Sequence, residues 1–177
     1  MELFPMNNPI FTQRLQLIPL DQKHLELMLQ NVEALEKSLN IIMMRPLITD
    51  RVRRAIGMKI KKMQKADVPQ QDWLTYWLVI IKAENVGAGL LGFKGFPDEN
   101  CSTEIGYGID PAYQGKGYMG EAIQALIDWA FTHPFCKVIT ATEVENPASK
   151  RLLERLGAEL VSASDHSTSW EIRKVLT

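Results

Sequence analysis

Two clusters of residues in this sequence have the types and spacing for chemistry. The first is Gln114-Gly115-Lys116-Gly117-Tyr118-Met119-Gly120, between an alternating segment, Ser102 to Ile109, and a helically spaced one, Tyr118 to Phe131. Gly115 and Gly117 tolerate backbone angles that other residues resist and let the main chain approach a ligand closely. Amides at the start of the following helix have no partner within it, and the helix dipole adds positive potential there. Such a turn suits a pyrophosphate, although a glycine-rich helix start with nothing bound would use the same residues. The second cluster centres on Glu104. On an alternating strand, Glu104, Gly106 and Gly108 share one face, and Ile105, Tyr107 and Ile109 share the other. A carboxylate beside two positions without side chains leaves open room on that face and could serve there as a general base. A solvated or salt-bridged strand glutamate is the alternative reading.

The glycines carry a decoy. Gly115, Gly117 and Gly120 satisfy G-x-G-x-x-G, and Glu143 follows 23 residues after Gly120, as a dinucleotide site requires. A dinucleotide fold, however, runs a continuous apolar strand almost directly into its first glycine. Here the five residues Asp110 to Gln114 intervene, the strand carries Glu104, and too little chain follows for a doubly wound sheet. The nucleotide P-loop is excluded because no Gly-Lys-Ser/Thr stands at its spacing. His24, His133 and His166 lie far apart and away from ligand spacing to any cysteine, so the sequence offers no metal site. Cys101 and Cys136 read as small buried hydrophobes of a reduced compartment.

The elements that must position these residues follow from periodicity. Leu15, Leu17 and Pro19 alternate as a short first strand. Asp21 then caps a helix bearing Leu25, Met28, Leu29, Val32 and Leu35. Thr49 or Asp50 caps a second helix with Val52, Ile56, Ile60 and Met63 on one face. Its remaining surface is basic (Arg51, Arg53, Arg54, Lys59, Lys61, Lys62 and Lys65) and reads as a solvated face. Asp67 to Asp72 reads as a loop. Strands at Thr75 to Lys82, Gly87 to Lys94 and Ser102 to Ile109, joined by short polar turns, predict an antiparallel meander. The helix Tyr118 to Phe131, a strand Lys137 to Thr142, a helix Asn146 to Leu156 closed by Gly157, and strands Leu160 to Ala163 and Trp170 to Val175 complete the chain.

The chain has 177 residues, 46% hydrophobic and 23% charged, which fits one domain, residues 1–177. A formal net charge of −1 supplies no global field to recruit nucleic acid or membrane. No apolar run approaches the length needed to span a bilayer, and Met1 to Asn8 is short, acidic and proline-broken, unlike a signal peptide. These features point to a cytoplasmic protein.

In its motifs the chain resembles the GNAT superfamily of acyl-CoA N-acyltransferases. Gln114, Gly117 and Met119 stand at the family's Gln/Arg-x-x-Gly-x-Gly/Ala, with Met119 departing from the usual small residue. Asn146 to Ala158 is similar to its Asn-x-x-Ala/Ser helix, and Thr12-Gln13-Arg14-Leu15-Gln16-Leu17 to the opening strand of the branch that acetylates N-termini of ribosomal proteins. The resemblance implies an α+β (mixed α/β) fold: a mostly antiparallel sheet of six to seven strands, splayed between its fourth and fifth, Ser102 to Ile109 and Lys137 to Thr142, and flanked by about four helices. It implies acetyl-CoA as cosubstrate without a metal, with pyrophosphate on the amides of Gln114, Gly115, Lys116, Gly117, Tyr118, Met119 and Gly120. Main-chain groups near Ile109 would hold the pantetheine and polarise the thioester carbonyl. Asn146 would bond the pantetheine, or serve only as a helix cap. Glu104 would be the base. The family's usual tyrosine acid is replaced by Leu153, which leaves Ser149 or solvent. The branch favours a protein N-terminal α-amine as acceptor, and the basic Arg51 to Lys65 segment, near where acceptors sit in the family, points to acidic ones. Small amines such as aminoglycosides or polyamines, CoA binding without catalysis, and an adaptor docking RNA on that basic helix remain open; a homodimer is compatible with the family.

Overall fold

The computed structural model describes residues 8–176. The N-terminal segment compared above with a signal peptide therefore lies outside the described residues, apart from Asn8. Strands β1 (Ile10–Phe11), β2 (Leu15–Pro19), β4 (Trp77–Ile81), β5 (Val86–Phe93), β6 (Ser102–Ile109), β7 (Val138–Glu143), β9 (Thr168–Arg173) and β8 (Glu159–Ala163) form one sheet in that order, and β3 (Ile42–Met43) pairs in parallel with β5. The helices are α1 (Gln22–Gln30), α2 (Val32–Leu39), α3 (Asp50–Met63), α4 (Gln71–Leu74), α5 (Tyr118–Phe131) and α6 (Pro147–Arg155). The fold is mixed α+β, with antiparallel pairing throughout the sheet except β3 with β5 and β6 with β7.

The central strands are covered on both faces, and the period-2 alternation sorts their side chains into two cores. Leu78, Ile80 and Leu90 pack with Leu25, Met28, Leu35 and Ile56 from α1, α2 and α3. Trp77, Val79, Leu91 and Phe93 face the other way, onto Ile123, Leu126 and Ile127 of α5 and Leu153 of α6. The anticipated meander is β4, β5 and β6. The parallel pairing of β6 with β7 is confined to Ser102–Glu104 against Val138–Thr140, so the sheet opens beyond Glu104. That opening is the expected splay.

Several expectations need correction. The described residues form nine strands rather than six to seven, because β1 and β3 are two-residue pairings too short to leave a periodic signal. They form six α-helices rather than about four. The first helical run breaks at Asn31, which ends α1 and caps α2 by accepting from the Ala34 amide. Asp67 to Asp72 is no loop: a 3-10 turn over Val68–Gln70 runs into α4, anchored by the buried Trp73. Cys136 is buried as expected, but Cys101 is half-buried at a turn with φ of 58°. The basic surface of α3 is not wholly solvated. Lys59 turns inward, donating from Nζ to the Phe93 carbonyl at 2.9 Å and lying 4.5 Å from the centre of the Tyr76 ring.

Candidate functional site

The glycine loop has the geometry of an anion cradle. Gly115 and Gly117 take φ of 74° and 79°, a left-handed conformation that L side chains rarely adopt. Gly117 is the N-cap of α5, and no side chain among the described residues caps that helix, whereas Asp21, Asn31, Thr49 and Asn146 cap α1, α2, α3 and α6. The amides of Tyr118, Met119 and Gly120 therefore lack intrahelical acceptors, and the first bond of the helix runs from Glu121 N to Gly117 O. Gln114, Gly115, Lys116 and Gly117 are exposed. The Met119 side chain instead tucks inward against Gly89, where a Cβ would lie 3.1 Å from its terminal methyl. This accounts for a large residue at a position expected to be small: Gly89 supplies the space. Gly120 has a packing role beside its amide, since a Cβ there would lie 3.1 Å from Leu152 of α6.

Arg14 braces this loop from the far end of the sequence. Its Nε donates to Glu121 Oε2 at 2.7 Å and its NH1 to the Lys116 carbonyl at 2.9 Å, while its guanidinium lies 4.5 Å from the centre of the Tyr118 ring. Burial pushes the Glu121 carboxyl up, but hydrogen bonds from Thr12 Oγ1, Arg14 N and Arg14 Nε together hold it below the usual carboxylate range. Arg14 is a contact of the glycine loop that the sequence does not single out, because its partners stand more than 100 positions away and leave no local trace.

The opening beyond Glu104 is lined by the two halves of the sheet. Gln114 Nε2 donates to the Ile109 carbonyl at 3.5 Å, joining the end of β6 to the loop. Across the gap the Tyr107 hydroxyl and Ser149 Oγ lie 2.6 Å apart, linking β6 to the first turn of α6. Burial raises the Tyr107 phenol above its ordinary value, the Ser149 bond opposes this, and the Glu143 charge adds to it. Asn146 Oδ1 accepts from the Ala148 and Ser149 amides, so the cap is formed. Leu153 is fully buried in the core and offers no acid.

The face of β6 bearing Gly106 and Gly108 looks onto a cavity of about 580 Å³, roofed by α3. A Cβ at either glycine would meet nothing within 4 Å, so these positions are floor rather than packing. Glu104 lies on the same face just outside the cavity lining, its Oε1 2.5 Å from Nζ of Lys94, a lining residue. Lys59 sits in the wall; burial, reinforced by the charges of Lys62 and Lys94, pushes its ammonium down to about 7. The signal for Lys59 was in the sequence: Val52, Ile56, Lys59 and Met63 recur at four-three-four spacing, one face of a helix. A second hollow, near Glu33, Glu36 and Asn85, shares no residue with this one.

A family model, Acetyltransferase (GNAT) domain, matches residues 14–159. An uncharacterised N-acetyltransferase of Bacillus subtilis is 38% identical over 95 residues, 53% of this chain and 56% of that protein. A ribosomal-protein-serine acetyltransferase of Escherichia coli is 31% identical over 81 residues, 45% of each. The matched segments thus span about half the length of these curated relatives. Among solved structures, a ribosomal L7/L12 alpha-N-protein acetyltransferase in complex with coenzyme A superposes with a TM-score of 0.66 at 20% identity, over 94% of this chain and 98% of that one. The chain belongs to the GNAT acetyltransferase family.

Proposed function

We propose that this GNAT-family chain transfers the acetyl group of acetyl-CoA to a primary amine, the α-amine of a protein N-terminus. The observation that carries this reading is that one strand, β6, adjoins both candidate sites. Its C-terminal end leads into an uncapped glycine loop, and its glycine face floors a cavity large enough for an acceptor. The relative named for acetylating ribosomal-protein serine supports the choice of acceptor.

The residues divide the work. The amides from Gln114 to Gly120 bind pyrophosphate, with Arg14 fixing their conformation. Main-chain groups near Ile109 and the side-chain amide of Asn146 hold the pantetheine in the opening between β6 and β7. Acetyl-CoA supplies the thioester, whose carbonyl carbon the amine nitrogen attacks as the C–S bond breaks. Glu104 takes the amine proton, through water, from its place beside Lys94. The Tyr107–Ser149 hydroxyl pair delivers a proton to the departing thiolate, and its raised phenol stays protonated near neutral pH.

The test is binding followed by turnover. Acetyl-CoA at about 100 times its dissociation constant stabilises the fold by roughly 2.7 kcal/mol, whereas NAD gives no shift. Incubation with acetyl-CoA and N-terminal peptides then yields free thiol and acetylated peptide together. A stabilisation by NAD alone would return the glycine loop to dinucleotide binding.

A further inference from the structure

The charge on the cavity wall is one-sided. Of the seven basic residues of and just beyond α3, three (Arg51, Lys59 and Lys62) line the cavity, and Lys94, one residue past β5, joins them. No aspartate or glutamate among the described residues lies on the lining. Lys94 is answered by Glu104 at 2.5 Å. Lys59 donates to the carbonyls of Phe93 and Leu74, and Lys62 to that of Lys94, so their contacts satisfy hydrogen bonding without cancelling charge. Arg53, in contrast, points away and donates to the Leu29 carbonyl at 3.1 Å. Cations gathered at a concave, partly desolvated wall hold a positive potential that a ligand anion relieves.

We propose that the acceptor carries a carboxylate close to its amine, held by the charges of Arg51 and Lys62 with Lys59 as a hydrogen-bond donor beside them, while the amine lies over Gly106 and Gly108. This rests on the acetyl-transfer reading above and sharpens its substrate: an N-terminus with aspartate or glutamate among its first residues. The placement has a logic of its own. A cationic wall repels a protonated amine and favours the neutral form that attacks, while the nearby carboxylate supplies the binding. The groups facing Lys59 are Lys62 on its own helix, Lys94 with its partner Glu104 across the sheet, and the Tyr76 ring beneath its ammonium. An acceptor carboxylate is the counter-charge missing from this set.

The experiment uses the full chain, acetyl-CoA and peptide pairs that differ only by Asp against Asn, or Glu against Gln, at the second and third positions. A second arm uses free aspartate and glutamate against asparagine and glutamine. Acidic peptides are expected to gain about tenfold in kcat/KM, mainly through KM, and to lose most of that gain in about 1 M salt. Arg51→Gln and Lys62→Gln, both at exposed positions, are expected to reduce the preference towards unity with unchanged thermal stability. A preference confined to the free amino acids keeps the anionic site and moves the acceptor from protein to small molecule. Equal turnover of acidic and neutral partners overturns this proposal while leaving acetyl transfer intact. Binding of acetyl-CoA with no acetylation of any peptide or amino acid overturns both.

Discussion

Nζ of Lys94 lies 2.5 Å from Oε1 of Glu104 on the adjacent strand, where the Lys94 amide also donates to the Glu104 carbonyl at 2.8 Å. The pair stands where β6 stops pairing with β7 and its glycine face begins, so the carboxylate beside that cavity is held in place by a cation. Glu104→Gln is expected to keep acetyl-CoA affinity and to lower turnover near neutral pH by a factor between about 10² and 10⁴. The loss shrinks as pH nears about 8, the ordinary value of an α-amine, because the acceptor then deprotonates unaided. A pH–rate profile matching the parent in height and shape would remove Glu104 from the mechanism.

Gly117 stands at φ of 79°, and a Cβ there would lie 3.3 Å from an Arg14 terminal nitrogen. Gly117→Val therefore strains the loop and displaces its brace. Acetyl-CoA binding is expected to fall more than thermal stability does. Arg14→Ala, which leaves the glycines alone, is expected to weaken binding roughly tenfold and to cost about 1 kcal/mol of stability. Calorimetric affinity and a thermal melt on the same samples separate the two effects, and undiminished affinity in both variants would move the pyrophosphate elsewhere.

Tyr107→Phe and Ser149→Ala each remove one hydroxyl of the pair bridging the opening. If that pair protonates the thiolate, each variant lowers kcat, and the two together lower it little more than the worse single one, since they act as a unit. Additive losses confined to KM would instead mark them as cofactor contacts.

Lys59 titrates near 7 in the folded protein, well below a free lysine, because of burial and two neighbouring cations. Between about 7 and 10 the unfolded chain binds the extra proton, so stability rises with pH across that window; below it the cost of the buried charge is fully present. Lys59→Met is expected to flatten this dependence. Urea denaturation at pH 6, 8 and 10 measures it, and parallel curves for parent and variant would contradict the assignment.

Much of this was legible from sequence because it is written in short-range pattern. The bounds of β6 and α5 could be read from alternation and helical spacing, and the glycine loop between them from residue type. The Asp21 and Asn146 caps are visible for the same reason, and the α3 cap to within Thr49 or Asp50, of which Thr49 is the one formed. Relationships set by the packing of distant segments were not. Arg14 bracing Glu121, Tyr107 meeting Ser149, and the opposition of α3 to the glycine face of β6 depend on tertiary contact. The long first helix was misread because Leu25 to Leu35 keeps an apolar spacing through Asn31, and only the side-chain cap reveals the break.

If β6 presents one thioester to one amine, thiol release and acetylation are a single event. The most direct measurement follows free-thiol release and the acetyl mass on an N-terminal peptide in the same reaction. The expected result is one thiol per acetyl, modification at the α-amine, and loss of both signals when that amine is blocked. Thiol release that continues with the amine blocked, or acetylation that the Gly117→Val chain supports as well as the parent, would contradict it.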